Sequence, residues 1–416
     1  MKDHLDIRPS DSLRVRIVLP ASKSISNRAL LINALSHGTD IPQNVSDCDD
    51  TKVMLAALHD MPEVIDIGAA GTAMRFLTAY LSVMPGTHLI TGTERMRHRP
   101  IAILVDALRQ LGAKIDYVGE EGFPPLRITG CTHLQGGDFS LPGNVSSQYI
   151  SALLMIGPVL TKGLRLHLTG NIVSRSYLDM TMKMMRDFGA EVKWENEHVI
   201  RVAPVPYISR PYVIENDWSA ASYWYEMVAL SQKPDAEVIL SGLYANSIQG
   251  DSVVSHIYAE LGVNTEYLHE KDGATAVRLV KGQKTVSYLC HDFSFHPDLA
   301  QTVAVTAAML NIPFELSGLQ TLRIKETDRI AALIAELKKL GIKTECTHST
   351  LSWAGEKVLD KYCPEITTYE DHRMAMSFAP ACLRVGQLRI LHPAVVSKSY
   401  PSFWNDMKQA GFYIQS

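Results

Sequence analysis

Long apolar segments are missing from this sequence of 416 residues. No run approaches the roughly 18 apolar residues that a membrane-spanning helix needs, and the start, Met1-Lys-Asp-His-Leu-Asp, lacks the apolar region of a secretory signal. The cysteines are scattered and include no C-x-x-C pair: Cys48, Cys131, Cys290, Cys346, Cys363 and Cys382. We therefore expect a cytoplasmic protein with reduced thiols, in preference to one with disulfides or a zinc site.

An overall basic field and the common ligand-binding motifs are also missing. The net charge is −4 and the pI is about 6.4, which argues against a nucleic acid or an anionic membrane as partner. The sequence has no G-x-x-x-x-G-K-[ST] phosphate loop, no G-x-G-x-x-G dinucleotide fingerprint and no H-E-x-x-H metal motif. A G-x-S-x-G nucleophile elbow is absent as well. These absences leave nucleotide, metal and serine-nucleophile chemistry without support.

A pattern that recurs at intervals of roughly 70 to 80 residues organises the chain. In each copy an apolar helix ends at a glycine and an alternating strand follows; the glycines are Gly112, Gly189, Gly262, Gly341 and Gly411. A glycine directly after a helix is typical of a left-handed C-cap. The other half of each copy is a helix with a polar or glycine-rich start, followed by a short strand that Gly or Pro closes. Each copy therefore predicts a βαβαββ-type unit, and the repetition indicates stacked copies with shared buried faces.

Six such copies predict the domain organisation. The first copy begins at Ser24 and is the plainest, because its strand near Ile41 is weak. A chain of this length exceeds one ordinary domain, so six copies predict an α/β (α+β) protein with two domains of three copies each. The Pro-rich segment 204–215 is the best crossing between domains, and a second crossing could lie near Pro20. A single large α/β domain with coincidental periodicity remains the alternative.

Positively charged side chains gather at the predicted helix starts. They are Lys23, Arg28, Arg75, Arg99, Lys325, Arg329, Arg373 and Lys398. Taken singly, each start is explained by ordinary Ser or Asp caps and solvated cations. The stretch Lys325-Glu-Thr-Asp-Arg329 has two interpretations: it fits either a salt-bridged first turn or an anion site at a helix N-terminus. If the copies direct these termini into one interdomain cleft, the cleft would attract small polyanionic substrates.

Taken together and in this order, the motifs resemble those of the 5-enolpyruvylshikimate-3-phosphate (EPSP) synthase family over nearly the whole chain. The most specific are Lys23-Ser-x-x-x-Arg28, Ala70-Gly-Thr-Ala-Met-Arg75, Arg95-Met-x-x-Arg99-Pro, Ser146-Ser-Gln148, Lys325-Glu-Thr-Asp-Arg329 and Asp371-His-Arg-Met-Ala-Met376. The resemblance implies a fold of two domains that close on the substrates, each built from three repeats as an inside-out α/β barrel. It also implies that the N-terminal strand joins the C-terminal domain, which gives domains at 21–212 and at 1–20 plus 213–416.

The resemblance further implies the reaction, in which shikimate 3-phosphate is added to phosphoenolpyruvate and inorganic phosphate is expelled. Shikimate 3-phosphate would contact Lys23, Ser24, Arg28, Ser146, Ser147, Gln148, Ser174, Asp298 and Lys325. Phosphoenolpyruvate would contact Lys23, Gly71, Arg99, Gln148, Arg329, Arg373 and Lys398. The family needs no metal and no organic cofactor, and it suggests a monomer.

Two carboxylates are implied as the proton-transfer groups. The 5-hydroxyl of shikimate 3-phosphate must lose a proton as it attacks C2 of phosphoenolpyruvate, whereas C3 must gain one. Asp298 corresponds to the family's proton acceptor and Glu326 to its proton donor, with Lys325 as the third catalytic residue. Lys325 would hold Asp298 ionised and steady the hydroxyl, and Glu326 would need a raised pKa.

Departures from the family pattern occur at Ala69, Phe76, Thr321 and Ser399. None removes a charged or proton-transferring group, so they bear on affinity and on the response to glyphosate, which competes for the phosphoenolpyruvate site. The sister family that transfers enolpyruvyl to a UDP-amino sugar carries Lys-Asn where this chain has Lys23-Ser24. It also usually has a cysteine in the loop that is cysteine-free here from Glu94 to Arg99. A non-catalytic anion-binding repeat protein would need neither Asp298 nor Glu326.

Overall fold

The computed structural model describes residues 3–38, 41–269, 275–357 and 364–416. Its strands are β1 (His4–Arg8), β2 (Arg14–Val18), β3 (Val64–Asp66), β4 (Thr87–Thr91), β5 (Lys114–Tyr117), β6 (Leu126–Thr129), β7 (Gly137–Pro142), β8 (Leu164–Thr169), β9 (Val192–Asn196), β10 (Val199–Val202), β11 (Glu237–Ser241), β12 (Val263–His269), β13 (Thr275–Lys281), β14 (Leu289–Asp292), β15 (Phe314–Ser317), β16 (Glu345–Cys346), β17 (Leu351–Trp353), β18 (Glu365–Ile366), β19 (Leu388–Leu391) and β20 (Tyr413–Gln415).

The α-helices are α1 (Lys23–Leu35), α2 (Asp49–Asp60), α3 (Gly71–Val83), α4 (Glu94–Arg97), α5 (Ala102–Gln110), α6 (Ser147–Ile156), α7 (Arg175–Asp187), α8 (Trp218–Leu230), α9 (Val254–Glu260), α10 (Ala300–Met309), α11 (Arg329–Lys339), α12 (His372–Phe378), α13 (Cys382–Val385) and α14 (Phe403–Gln409). Short 3-10 helices at Pro297–Leu299, Gln320–Ile324 and Pro393–Lys398 carry or flank predicted site residues.

Two compact units divide the chain. The inserted unit comprises Ala21–Ile214, and the split unit comprises Met1–Pro20 together with Glu215–Ser416. This division falls two residues beyond the predicted boundary at 212. A hydrogen bond within the split unit joins the two segments next to its boundaries: the backbone N–H of Asp217 donates to the carbonyl of Pro20 at 2.9 Å.

The predicted repeat is visible as one sheet topology that occurs five times in the described residues. In the sheet β3-β4-β6-β5, β3 and β4 are parallel, β6 is antiparallel to β4, and β5 is antiparallel to β6. Helices α3 and α5 connect these strands, which gives the order βαβαββ. The sheet β7-β8-β10-β9 repeats this arrangement in the inserted unit. The first copy there is reduced, since near the weak Ile41 segment Gln43 forms only an isolated bridge with Val213.

The split unit contains three of these sheets, with the orders β12-β13-β11-β2, β14-β15-β17-β16 and β18-β19-β1-β20. Both N-terminal strands belong here: β2 runs parallel to β11, and β1 is antiparallel to β19 and β20. These pairings are long-range, so they fix the segment before Pro20 in the split unit.

Helices form the core of each unit and the sheets cover it. All residues of α3 and α10 are buried, and so is every residue of α8 except Ser219. A helix that is buried all round lies inside a protein. The strands instead alternate, as in β8 and β11, between buried and partly exposed side chains. This is the inside-out α/β arrangement that the resemblance implied, and the predicted fold class is confirmed.

Local backbone features agree with the sequence pattern. The five repeat glycines all have positive φ, with values of 102, 86, 89, 82 and 88° along the chain. They therefore adopt the left-handed conformation that glycine tolerates best. Five cysteines are free thiols in the structure, whereas Cys363 lies outside the described residues. Among the helices described, none is long and apolar enough to span a membrane.

Candidate active site

The stretch Lys325–Arg329 lies where a 3-10 helix ends and α11 begins. Lys325 directly follows the 3-10 helix Gln320–Ile324, and Asp328 is the N-cap of α11. The Asp328 carboxylate accepts hydrogen bonds from the backbone N–H groups of Ile330 and Ala331 at 3.1 and 3.0 Å. This cap satisfies the first turn, so Arg329 is the first helical residue. The predicted helix start is therefore confirmed.

Arg329 gathers three carboxylates around one guanidinium. Its Nε donates to Asp371 Oδ2 at 2.7 Å, Nη1 donates to Asp298 Oδ1 at 3.1 Å, and Nη2 donates to Glu326 Oε2 at 2.9 Å. The side chain is 2% exposed. Burial acts to lower its pKa, but the surrounding carboxylates outweigh burial and raise it. Arg329 is thus a fixed cation at the centre of the cluster.

Asp298 lies in the 3-10 helix Pro297–Leu299 before α10 and contacts three cations. Its Oδ2 accepts from Arg373 Nη2 at 2.9 Å, and its Oδ1 lies 3.8 Å from Lys325 Nζ. Burial by itself would raise the pKa of the Asp298 carboxyl. Charge from Arg373, the largest opposing cause, together with Lys325 and Arg329 holds that pKa well below its usual range. Asp298 is therefore ionised near neutral pH in this arrangement.

Arg373 and Lys398 are the remaining predicted binding cations of the split unit. Arg373 follows Asp371, the N-cap of α12, and its Nη1 donates to the backbone carbonyl of Asp298 at 3.2 Å. Lys398 ends the 3-10 helix Pro393–Lys398, and its Nζ donates to the backbone carbonyl of Glu370 at 2.8 Å. Burial lowers the pKa of Lys325, and the nearby Asp298 carboxylate opposes that shift.

Three residues of this cluster had no predicted role. Asp371 pairs with Arg329, and the Tyr223 hydroxyl accepts from Arg373 Nη1 at 3.4 Å. The buried Asp251 has its pKa raised to about 7, first by burial and then by the charge of Asp298. Asp371 opens the quoted Asp-His-Arg motif, which is a local signal. Tyr223 and Asp251 carry no such signal, because only tertiary packing brings them near Arg373.

In the inserted unit, Arg28 is buried among neutral partners. Its Nε donates to Thr181 Oγ1 at 2.7 Å, Nη2 to Ser151 Oγ at 3.2 Å, and Nη1 to the Ser24 carbonyl at 2.9 Å. The guanidinium carbon lies 5.3 Å from the centre of the Phe76 ring. Burial lowers the pKa of Arg28 to about 10, so it stays charged. None of these contacts is a carboxylate, which leaves the charge of Arg28 uncompensated by them.

A second group in the inserted unit forms around the start of α3. A Cβ added to Gly71 would lie 2.6 Å from Arg99 Nη1, so the Arg99 guanidinium lies directly against the start of α3. Gln148 Nε2 donates to Thr72 Oγ1 at 3.1 Å, so the start of α6 lies beside the start of α3. Arg75 donates to the Gly71 carbonyl at 3.0 Å. Gly71, Arg99 and Gln148, all predicted to contact phosphoenolpyruvate, therefore lie together.

The remaining predicted residues lie at helix starts. Ser146 is the N-cap of α6 and its hydroxyl accepts from the Gln148 N–H at 3.3 Å, whereas Ser147 is the first helical residue. Ser174 is the N-cap of α7 and has a left-handed φ of 54°. Lys23 Nζ lies 3.7 Å from Asp50 Oδ2. The Ser and Lys residues are thus caps or paired groups as well as candidates for binding.

The departures from the family pattern have two visible consequences. Phe76 places its ring against the Arg28 guanidinium. The buried Thr321 hydroxyl, in the 3-10 helix that leads to Lys325, has no hydrogen-bond partner among the described residues. Nothing in the structure explains Ala69 or Ser399.

Comparisons with known proteins identify the family of the chain. A family model described as EPSP synthase (3-phosphoshikimate 1-carboxyvinyltransferase) matches residues 7–64 and 61–407. A Bacteroides fragilis protein named 3-phosphoshikimate 1-carboxyvinyltransferase is 59% identical over 404 residues, which covers 97% of each chain. A Bordetella pertussis protein of the same name is 36% identical over 431 residues, again with 97% of each chain covered.

A solved structure leads to the same family. The EPSP synthase from Acinetobacter baumannii superposes with a TM-score of 0.78 at 26% identity, covering 99% of this chain and 100% of that one. The prediction made from the motifs is confirmed, and neither the UDP-sugar transferase nor the non-catalytic repeat protein gains support. The chain belongs to the EPSP synthase (3-phosphoshikimate 1-carboxyvinyltransferase) family.

Proposed function

We propose that this enzyme transfers the enolpyruvyl group of phosphoenolpyruvate to the 5-hydroxyl of shikimate 3-phosphate and releases inorganic phosphate. The residue roles rest on two carboxylates that contact Arg329. Asp298 and Glu326 each accept a hydrogen bond from a different guanidinium nitrogen. One carboxylate is ionised and embedded in cations, and the other is half-buried beside it. A base and an acid that contact the same guanidinium suit a reaction that removes one proton and supplies another.

The reaction proceeds by addition and then elimination. In the addition, the 5-hydroxyl oxygen bonds to C2 of phosphoenolpyruvate, its proton passes to Asp298, and C3 receives a proton from Glu326. The product of this step is a tetrahedral ketal phosphate. In the elimination, C3 gives a proton back to the Glu326 carboxylate and the C2–C3 double bond forms again. The bond from C2 to the phosphate oxygen breaks with its electron pair on the departing phosphate, which takes the proton held by Asp298. The products are the enolpyruvyl ether and inorganic phosphate.

Asp298 becomes a stronger base when the substrates bind. In the unliganded cluster, Arg373, Lys325 and Arg329 stabilise its ionised form, which makes it a poor proton acceptor. Phosphoenolpyruvate is an anion, and its carboxylate and phosphate would share Arg329 and Arg373. These cations then stabilise the Asp298 carboxylate less, so its affinity for the hydroxyl proton increases. Substrate binding and base strength are coupled through the same two arginines.

Glu326 requires the opposite change. It accepts a hydrogen bond from Arg329 in the unliganded structure, an arrangement in which the carboxylate competes with substrate for the same guanidinium. Once the phosphoenolpyruvate carboxylate takes that hydrogen bond, Glu326 loses a stabilising donor and gains a nearby anion. Both effects favour its protonated form. Glu326 is thereby prepared to protonate C3 only when the substrate is bound.

Substrate binding rests on the other residues that the motifs indicate. We assign phosphoenolpyruvate to Lys23, Gly71, Arg99, Gln148, Arg329, Arg373 and Lys398. We assign shikimate 3-phosphate to Lys23, Ser24, Arg28, Ser146, Ser147, Gln148, Ser174, Asp298 and Lys325. Arg28 supports this assignment, because its buried guanidinium donates hydrogen bonds only to neutral groups among the described residues and is therefore suited to a dianionic phosphate.

We also infer that the enzyme works as a monomer, as the sequence resemblance implied. We infer from its composition that it works in the cytoplasm, with no nucleic acid or membrane partner. The net charge of −4 and the five described free thiols are compatible with this inference. Light scattering on the purified chain tests the oligomeric state, and a dimer mass would contradict a monomer.

Phosphate release tests the proposed function. The purified enzyme is mixed with phosphoenolpyruvate and either shikimate 3-phosphate or UDP-N-acetylglucosamine as acceptor. We expect phosphate release only with shikimate 3-phosphate, in an amount equal to the ether formed. Release only with the UDP-sugar, or with neither acceptor, would contradict the proposal.

A further inference from the structure

The backbone just before Asp371 has an unfavourable conformation. Tyr369 and Glu370, which we call the 369–370 turn, are two consecutive residues with positive φ, of 52 and 55°. Neither is glycine, and L-residues with a Cβ rarely adopt this left-handed conformation. Such a turn persists only where the surrounding structure holds it.

A buried carboxylate on α11 holds this turn. Glu336 is 0% exposed; its Oε1 accepts from the Tyr369 hydroxyl at 2.6 Å, and its Oε2 accepts from the Thr367 backbone N–H at 3.1 Å. Lys339 Nζ lies 2.8 Å from the same Oε2 and also donates to the Glu365 carbonyl at 3.1 Å. Both carboxylate oxygens are therefore paired, which a buried charge requires.

The turn carries groups of the candidate active site. The Glu370 carbonyl accepts the hydrogen bond from Lys398 Nζ, and the next residue, Asp371, pairs with Arg329 and caps the helix that carries Arg373. A change in the peptide orientation of the turn would move that carbonyl and the cap together. Three cations thus depend on one local conformation.

Helix α11 contacts this segment at two points. Arg329 in its first turn contacts Asp371, and Glu336, seven residues later and so on the same face, contacts Tyr369. The first contact belongs to the cluster around Asp298, whereas the second lies outside it. The hydrogen bonds and ion pairs that Glu336 and Tyr369 form with described residues therefore hold the turn and involve no residue that we assign to the reaction itself.

We propose that Glu336 and Tyr369 are positioning residues for phosphoenolpyruvate: their hydrogen bond holds the 369–370 turn in its left-handed conformation and so sets Lys398 and Arg373. This inference rests on the proposed function. It predicts that loss of this hydrogen bond weakens the binding of phosphoenolpyruvate alone, because Arg373 and Lys398 are assigned to phosphoenolpyruvate and neither is assigned to shikimate 3-phosphate.

Removal of the Tyr369 hydroxyl tests the role. In Tyr369→Phe the ring remains and only the hydrogen bond to Glu336 is lost. We expect KM for phosphoenolpyruvate to rise about tenfold, the scale on which one hydrogen bond to a charged group contributes, with KM for shikimate 3-phosphate unchanged. The matched control is Tyr225→Phe, which removes a buried hydroxyl that bonds Thr265 Oγ1 at 2.9 Å in the same unit. It should change neither KM.

Substitution of the exposed Glu370 separates positioning from general stability. Glycine adopts positive φ without a steric penalty, whereas alanine keeps the Cβ. The double variant Tyr369→Phe/Glu370→Gly should therefore recover the lost affinity for phosphoenolpyruvate, and Tyr369→Phe/Glu370→Ala should not. A loss of stability alone would not follow this pattern.

The outcomes are distinct. Equal rises in both KM values, no rise in either, or equal rescue by glycine and alanine would overturn the positioning role. If Tyr369→Phe does not fold, Glu336→Gln takes its place, since the amide keeps one acceptor and loses the other, and the same selective rise is expected. Wild-type turnover is measured alongside. If the wild type releases no phosphate, the proposed function fails. If the wild type turns over normally and Tyr369→Phe has an unchanged KM for phosphoenolpyruvate, only this inference is overturned.

Discussion

Arg329 and Asp371 form an ion pair that is almost fully excluded from solvent, with 2.7 Å between Nε and Oδ2 and exposures of 2% and 0%. The same guanidinium contacts Asp298 and Glu326, the two residues to which we assign proton transfer. Asp371 thus anchors the cation that both catalytic carboxylates share. This relationship makes Asp371 as important for the site as residues with assigned contacts to substrate.

We expect Asp371→Asn to destabilise the protein. Arg329 would keep Asp298 and Glu326 as partners, but the buried cluster would lose one of its three carboxylates and gain net positive charge, so the free energy of unfolding should fall by about 3 kcal/mol. Chemical denaturation of the two proteins measures it. The control is Glu356→Gln, which breaks the 2.7 Å pair with Lys343, where both side chains are more than half exposed. That change should have no measurable effect, and equal effects of the two substitutions would contradict the prediction.

We expect Asp298→Asn and Glu326→Gln to abolish turnover while substrate binding persists. Each replaces a carboxylate with an amide of similar shape that cannot transfer the proton, so kcat should fall by about 10²-fold or more. Phosphate release gives kcat, and calorimetry with shikimate 3-phosphate gives binding. Loss of binding in a folded variant would instead assign the residue a structural role.

Arg28→Met should separate stability from binding. In the part of the chain that the structure describes, the buried guanidinium donates hydrogen bonds only to neutral groups, and burial lowers its pKa to about 10. An apolar side chain of similar length relieves the cost of burying this charge, so the free energy of unfolding should change by less than about 1 kcal/mol. The dissociation constant for shikimate 3-phosphate should rise about 100-fold, because charge-assisted hydrogen bonds to its phosphate are lost. Strong destabilisation without weakened binding would show that Arg28 serves the fold.

Glu226 should make the stability of the protein depend on pH. The side chain is fully buried in α8, and burial, which outweighs the nearby Thr306 hydroxyl, raises its pKa well above 4.5. The folded state therefore holds a proton that the unfolded state releases, so this contribution is present below pH 4.5 and is lost as pH rises toward the folded-state pKa. Denaturation at pH 5 and pH 8 should show a smaller difference for Glu226→Gln than for the wild type. An unchanged difference would assign the pH dependence to other groups.

Features that depend on local sequence were predicted well. The five repeat glycines end their helices with positive φ, and α11 begins at the stretch Lys325–Arg329, because turn and cap chemistry is set by neighbouring residues. The repeated βαβαββ order also follows from local periodicity. The strand near Ile41 is the weakest prediction, since Gln43 forms a single bridge instead of a sheet and residues 39–40 lie outside the described ones.

Contacts between distant segments could not be predicted in the same way. Arg329 and Asp371 are 42 residues apart in the chain, and only the packing of α11 against α12 brings them together. Lys325 was expected to keep Asp298 ionised, but Arg373 lies closer, at 2.9 Å compared with 3.8 Å, and contributes more. The motifs therefore identified the charged groups, whereas the pairing among them required the structure.

Solvent deuterium most directly tests the role that we assign to Glu326, which is to protonate C3 in the addition before C3 loses a proton again in the elimination. The wild type turns over shikimate 3-phosphate and phosphoenolpyruvate in D₂O, and NMR measures deuterium at C3 of the ether. Because C3 passes through a methyl group that loses any one of its hydrogens, we expect deuterium in the product, and Glu326→Gln should form almost none of it. Full turnover with no deuterium at C3 would contradict the account.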